Sequence, residues 1–217
     1  MEIIKAENGY LTILTGKTDM GKSTITVYEC SENLKLGKSV LFFSYEYCQS
    51  IIYNKLISHF KVGWAQLFKL NIVDASNLSL NALIDMVHAK KDNVDAIYID
   101  YLDLLKNATF PPAENEAEDL GQIQQICKAL AALATELHIP VVLLSQIGAS
   151  SNFEKTVEQL NAFTETLDSK NSIKMLIAKG NVINEQIDYN DIVHIILIDG
   201  YNLRHFSSIN IHEIYGD

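Results

Sequence analysis

The chain has 217 residues, enough for one well-cored α/β domain and too few for two comfortable ones. Hydrophobic residues make up 48%, which excludes wholesale disorder, yet no apolar run reaches the roughly 18 residues of a membrane span. The formal net charge of −10 opposes nucleic-acid binding by the surface as a whole, so a polyanion site would need a locally basic channel. Arg204 is the only arginine available for one.

Residues 1–7 carry acids where a secretion signal would be basic. Cys30, Cys48 and Cys127 are odd in number and widely spaced, as expected of reduced thiols in a cytoplasmic protein. The six histidines show no zinc spacing, so no metal beyond Mg²⁺ is implied. Residues 1–9 read as a lead-in strand and turn closing at Asn8-Gly9. A short β-rich stretch follows at 10–15, then a helix over about 22–36 ended by Gly37. Residues 39–45 form a continuous apolar run of strand length, typical of a parallel strand covered on both faces. Helical periodicity marks 49–60 through Ile51, Ile52, Leu56 and Phe60. A short strand at 71–74 leads to a helix capped by Ser79 and running to about Lys90. Residues 95–100 form the next buried strand, and 107–118 a polar, proline-bearing loop. A long helix over about 117–138 precedes Pro140 and a strand at 141–145. A second loop spans 147–157, a helix 157–167, and strands at 173–178, 192–198 and 207–214 close the sheet. Alternating βα units predict a doubly wound, mainly parallel α/β fold in a single domain over residues 1–217, with ligands at the carboxyl ends of the strands.

One of those ends carries a specific motif. Gly16-Lys17-Thr18-Asp19-Met20-Gly21-Lys22-Ser23 fits G-x-x-x-x-G-K-[ST], the phosphate-binding P-loop, between a strand and a helix. Loop N–H groups and the helix N-terminus converge on a phosphate, and the two glycines let the backbone approach it. The nucleotide-binding set is therefore Gly16, Lys17, Thr18, Asp19, Met20, Gly21, Lys22, Ser23 and the following Thr24. Lys22 supplies a charge on the β- and γ-phosphates of a nucleoside triphosphate such as ATP, and the Ser23 hydroxyl a ligand for Mg²⁺. Three other strand tips carry polar groups. Asp100 ends an apolar strand, as a carboxylate that orients Mg²⁺ does. Glu46 is either a general base for the attacking water or a solvated strand-end glutamate. Gln146 is placed to hydrogen-bond the γ-phosphate, though a glutamine after a strand says little alone.

Met20-Gly21-Lys22-Ser23, Phe42-Phe43-Ser44-Tyr45-Glu46, Ile99-Asp100-Tyr101-Leu102 and Ile139-Pro140-Val141-Val142-Leu143-Leu144-Ser145-Gln146 together resemble the C-terminal domain of DnaB-type replicative helicases in order and spacing. The resemblance covers residues 3–146 well and the remainder poorly. It implies a RecA-like ATPase core in which Glu46 is the catalytic base, Asp100 the Walker B acid and Gln146 the γ-phosphate sensor. It also implies action in DNA replication or recombination, with single-stranded DNA, a homo-oligomeric ring or a replication protein as partners.

The departures point to an alternative. The chain begins at the core strand, without the family's N-terminal domain and linker helix. Its glutamine leads into Ile147-Gly148-Ala149-Ser150-Ser151-Asn152, with no cation before Lys155. Where the family carries Lys-x-Arg after its penultimate strand, Asp199-Gly200-Tyr201 stands here, with Arg204 three residues on. Arg204 is then either an arginine finger or a surface arginine at a strand turn, and Lys179 is a weaker cationic candidate. The expected DNA-facing loops at 147–157 and 168–174 offer Lys155, Lys170 and Lys174 among several acids, with Phe153 and Phe163 the nearby aromatics. A nucleotide-dependent switch or interaction module that docks to a partner without unwinding DNA fits these features as well.

Overall fold

A computed structural model describes residues 3–18, 20–147, 153–167, 172–183, 186–199 and 202–210. The apolar runs become strands β1 (Leu11–Lys17), β2 (Val40–Ser44), β3 (Leu70–Asp74), β4 (Ala96–Asp100), β5 (Val141–Ile147), β6 (Ser172–Ile183), β7 (Gln186–Asp199) and β8 (Asn202–Asn210). They form one sheet in the order β3-β2-β4-β5-β1-β6-β7-β8. The first six pair in parallel, and β7 and β8 add on antiparallel. The expectation of a mainly parallel α/β sheet holds.

Because strand side chains alternate between faces, the sheet separates two cores. One face presents Leu11, Ile13, Leu41, Phe43, Ile97, Ile99 and Leu143 to helices α4 (Leu80–Lys90), α5 (Leu102–Thr109), α6 (Glu116–Leu137) and α7 (Phe153–Thr164). The other presents Leu14, Phe42, Tyr98, Val142 and Leu144 to α1 (Lys22–Lys35), α2 (Gln49–Asn54) and α3 (Trp64–Leu67). Burial on both faces is why β2, β4 and β5 read as unbroken apolar runs.

Several boundaries differ from the sequence reading. Residues 3–9 form no strand, although Ile3 and Ile4 are fully buried. The helix expected over 49–60 divides into α2 and a π-helical turn, Lys55–His59. The helix α3 was not signalled, being only one turn long. The loop expected from residue 107 starts later because α5 runs to Thr109, whose hydroxyl donates back to Leu105 O at 2.7 Å. Asn115 caps α6 by accepting from the Glu118 N–H at 3.0 Å. The last helix starts at Phe153 rather than 157, and β8 starts at Asn202 rather than 207, while residues 211–214 of the expected strand lie outside the described residues. Antiparallel ladders extend through polar residues that apolar patterning leaves out, which lengthens β6 and β7 beyond expectation.

Phe42 and Tyr98 stack between neighbouring strands, with centroids 6.1 Å apart and planes 24° apart. Both are fully buried. Phe42→Ala is expected to lower the unfolding free energy by about 3–5 kcal/mol in urea denaturation. A loss below about 1 kcal/mol would mean that this core is not assembled as described.

Candidate active site

The register places the site. In parallel pairing Gly16 lies opposite Gln146, Thr15 opposite Ser145 and Ser44 opposite Asp100, so β1, β2, β4 and β5 end on one side of the sheet. The chain leaving β1 turns into α1 through Gly21, whose φ of 83° is left-handed and suits glycine. The Ile25 N–H donates to Gly21 O at 2.9 Å, closing the first turn of α1 beside the strand tips. A cavity of about 280 Å³ opens there, lined by Thr18, Gly21, Lys22, Ser23, Thr24, Glu46, Tyr47, Lys55, Asp100, Tyr101 and Gln146.

Inside it, the Lys22 ammonium donates to Gly16 O at 2.8 Å and to Lys17 O at 2.7 Å, which anchors the cation within the curl of the loop. Asp100 is 2% exposed. Burial pushes its carboxyl up to about 6. A hydrogen bond from the Ser23 hydroxyl opposes the rise, the Glu46 charge adds to it, and the Lys22 and Lys55 charges pull it back. On the far wall, Gln146 Nε2 donates to Thr18 Oγ1 at 2.8 Å, tying the tip of β5 to the loop. Glu46 is exposed just beyond β2. Lys55 opens the π-helical turn with its ammonium 5.3 Å from the centre of the Tyr47 ring.

The oxygen donors fit a hard divalent cation. The Ser23 hydroxyl and Asp100 carboxylate already touch, and Glu46 stands near enough to perturb Asp100. Among the described residues no three His, Cys, Asp or Glu gather to form an all-protein cage. That suits Mg²⁺, which keeps waters and shares its shell with phosphates.

Of the residues singled out in the sequence, Thr18, Gly21, Lys22, Ser23, Thr24, Glu46, Asp100 and Gln146 meet around this cavity. Gly16 and Lys17 contribute their carbonyls to Lys22, whereas Met20 packs against the apolar core. Asp19 lies outside the described residues, as do Lys170 and much of the 147–157 and 168–174 loops. Lys174 donates to Asn161 Oδ1 at 2.6 Å, Lys155 is exposed, and Phe163 packs on the core. Arg204 is exposed on β8, three strands from β1, and does not line the cavity. Tyr47, Lys55 and Tyr101 were missed. Lys55 left one faint signal: it is the only cation between Glu46 and His59.

Residues 59–159 match the model of the DnaB-like helicase C-terminal domain, a stretch that includes Asp100 and Gln146 and lies downstream of the P-loop. Residues 59–159 of the chain thus resemble a DnaB-like helicase C-terminal domain. It is 30% identical over 166 residues to a probable plasmid replicative DNA helicase of Chlamydia psittaci, covering 64% of this chain and 35% of that protein. It is 26% identical to the replicative DNA helicase DnaB of Buchnera aphidicola subsp. Acyrthosiphon pisum, over 86% of this chain and 46% of the relative. The chain thus spans less than half the length of these relatives. Two solved structures share the fold. One is a DnaB-like replicative helicase described together with its interactions with primase (TM-score 0.67, 19% identity, 94% of this chain and 55% of that one). The other is the RadB recombinase (TM-score 0.62, 16% identity, 97% and 90%). The fold is therefore RecA-like in architecture. None of its helices, among the described residues, is long and apolar enough to cross a membrane.

The raised Asp100 carboxyl carries a stability signature. Its folded value of about 6 exceeds the unfolded value of 3.8, so the unfolded chain loses this proton first as pH rises. This group therefore favours folding most at low pH, and that contribution is lost between about pH 4 and about pH 6. In metal-free protein, Asp100→Asn should gain stability relative to wild type across that window and hold a constant difference above it. Urea unfolding at a series of pH values checks this, and a difference independent of pH would contradict the assignment.

Proposed function

We propose that the chain binds ATP with Mg²⁺ and hydrolyses it, as the RecA-like motor unit of a DnaB-like helicase acting in DNA replication or recombination. One RecA-like unit spanning residues 1–217, working in the cytoplasm, is part of that reading. The observation that carries it is the convergence of Lys22, Ser23, Asp100, Glu46 and Gln146 on one cavity.

In this reading the triphosphate lies along the Thr18–Ser23 turn, where N–H groups at the start of α1 and the Lys22 ammonium meet its β- and γ-oxygens. Ser23 and Asp100 would hold Mg²⁺, which supplies charge neutralisation across those oxygens. Glu46 takes a proton from the water that attacks the γ-phosphorus. The bond from that phosphorus to the bridging oxygen breaks, and ADP leaves with the electron pair. Lys55 adds a second cation toward the departing phosphate. Gln146, fastened to Thr18, registers the γ-phosphate at the tip of β5 and passes its loss to the 147–157 segment.

Arg204 serves this chemistry only from a second copy. Three strand spacings of about 4.8 Å separate β8 from β1, about 14 Å in all, so it cannot act at its own loop. An exposed apolar ridge supports self-association: Leu36, Trp64 and Phe68 are 76%, 75% and 91% exposed. Single-stranded DNA is assigned to the 147–157 and 168–174 segments of such an assembly. The engagement of Lys174 by Asn161 favours a second reading, in which nucleotide switches a docking module that does not unwind DNA.

Lys22→Ala should abolish ATP binding in calorimetry, and unchanged affinity would refute the P-loop assignment. Glu46→Gln should keep ATP affinity while turnover falls about 10²- to 10⁴-fold. Undiminished phosphate release would return Glu46 to a surface role. On the motor reading single-stranded DNA raises the ATPase rate and ATP drives ring assembly in sedimentation. A monomer indifferent to DNA selects the switch.

A further inference from the structure

Three large apolar side chains stand in solvent in one place. Trp64 opens α3 and Phe68 follows it one helical turn later, so the two share a side of the helix while Leu67 turns inward and is buried. Leu36, at the end of α1, lies alongside. The Lys69 ammonium donates to Gly37 O and the Val40 N–H donates to Lys69 O at 2.8 Å, which ties the two helix ends into one surface. A contiguous ridge of this kind, unlike scattered apolar residues, marks an interaction site. Exposed Lys38, Lys61 and Lys69 border it. Lys61 and Lys69 donate to main-chain carbonyls, and no acid forms an ion pair with any of the three among the described residues. Nearby, Lys35 is matched by Glu32, and the Asp95 carboxylate accepts from the Ser39 N–H. The border is therefore positive in a chain whose net charge is −10.

A surface of opposite character lies across the sheet. A second cavity, of about 470 Å³, opens between the start of α6 and the end of α7. Its floor is apolar, with Leu120, Ile123 and Phe163, and its rim carries Glu114, Glu116 and Asp119. Lys106 neutralises Asp119, whereas no cation pairs with Glu114, Glu116 or the neighbouring exposed Glu118 among the described residues. An aromatic anchor seated in an apolar pocket inside a charged rim is the arrangement that concentrates binding energy. The same chain cannot supply that anchor. Helix α1 leaves the carboxyl end of β1 and runs back toward the start of β2, so Leu36 stands at the amino-terminal rim on the α1–α3 face. Helix α6 leads into the start of β5, so it begins at the carboxyl rim on the opposite face.

We propose that Trp64 and Phe68 of one copy seat in the α6–α7 cavity of the next, with Lys38, Lys61 and Lys69 meeting Glu114, Glu116 and Glu118 around them. The joint rests on the self-association in the reading above and on no part of its ATP chemistry. Because its two surfaces differ, it is head-to-tail: it passes from copy to copy and either closes into a ring or runs on as a filament.

The test uses the full chain, with and without Mg-ATP, and two independent readouts. By sedimentation, a chain carrying Trp64→Ala with Phe68→Ala, and one carrying Glu114→Lys with Glu116→Lys, should each self-associate at least about 30-fold more weakly than wild type, the scale of losing an interface anchor. All four side chains are exposed, so the fold tolerates the changes. An equimolar mixture of the two variants should form dimers and stop there, because it keeps one intact joint. By fluorescence, Trp64 is the single tryptophan, and its emission should move to shorter wavelength as wild type assembles. No such shift should occur in the Glu114→Lys, Glu116→Lys chain. Assembly with unchanged emission, either variant assembling like wild type, or a mixture that stays monomeric overturns this joint and leaves the motor reading other routes to a ring. A wild type that stays monomeric in both conditions overturns the joint together with the self-association in that reading.

Discussion

The parallel register of β4, β5 and β1 is the constraint on which the rest depends. Parallel strands in register end together, so groups far apart in sequence arrive at one rim. Lys22 at the start of α1, Asp100 at the tip of β4 and Gln146 at the tip of β5 are neighbours for that reason. A slip of one residue in any of these strands would turn its tip to the opposite face. The two cores prevent such slips, since each strand commits large apolar side chains to both faces.

Charge within the cavity is arranged in opposition. The ammonium of Lys22 rests on two main-chain carbonyls. Such contacts hold a cation in position and yield to a phosphate oxygen, whose charge-assisted bond is roughly twice as strong as a neutral one. Asp100 is kept in reserve differently. Burial makes its charge costly, and Ser23 and the two lysines lower that cost. An Mg²⁺ ion would remove it. A polyphosphate with a divalent cation thus complements the cavity in both signs at once.

How much of this was legible in the sequence depended on which force placed each residue. The P-loop was readable because its glycines are demanded by backbone geometry, Gly21 at a positive φ above all. The tips at Asp100 and Gln146 were readable because a polar residue interrupts an apolar run where a strand emerges. Glu46 was ambiguous for the same reason, since strand ends also carry solvated acids, and the family resemblance raised it. Lys55 was illegible: it reaches the cavity through tertiary placement of a π-helical turn that helical periodicity does not distinguish. Arg204 was visible as a lone arginine, but only the strand order shows that its own P-loop is out of reach.

The proposed function puts a triphosphate in the turn between β1 and α1 with a divalent ion against Ser23 and Asp100. A crystal structure with a non-hydrolysable ATP analogue and Mn²⁺ in place of Mg²⁺ tests that most directly. The account predicts phosphates along Thr18–Ser23, the Lys22 ammonium shifted from the Gly16 and Lys17 carbonyls onto phosphate oxygens, and an anomalous Mn²⁺ peak beside Ser23. A nucleotide bound elsewhere, with Lys22 still on those carbonyls, would contradict it.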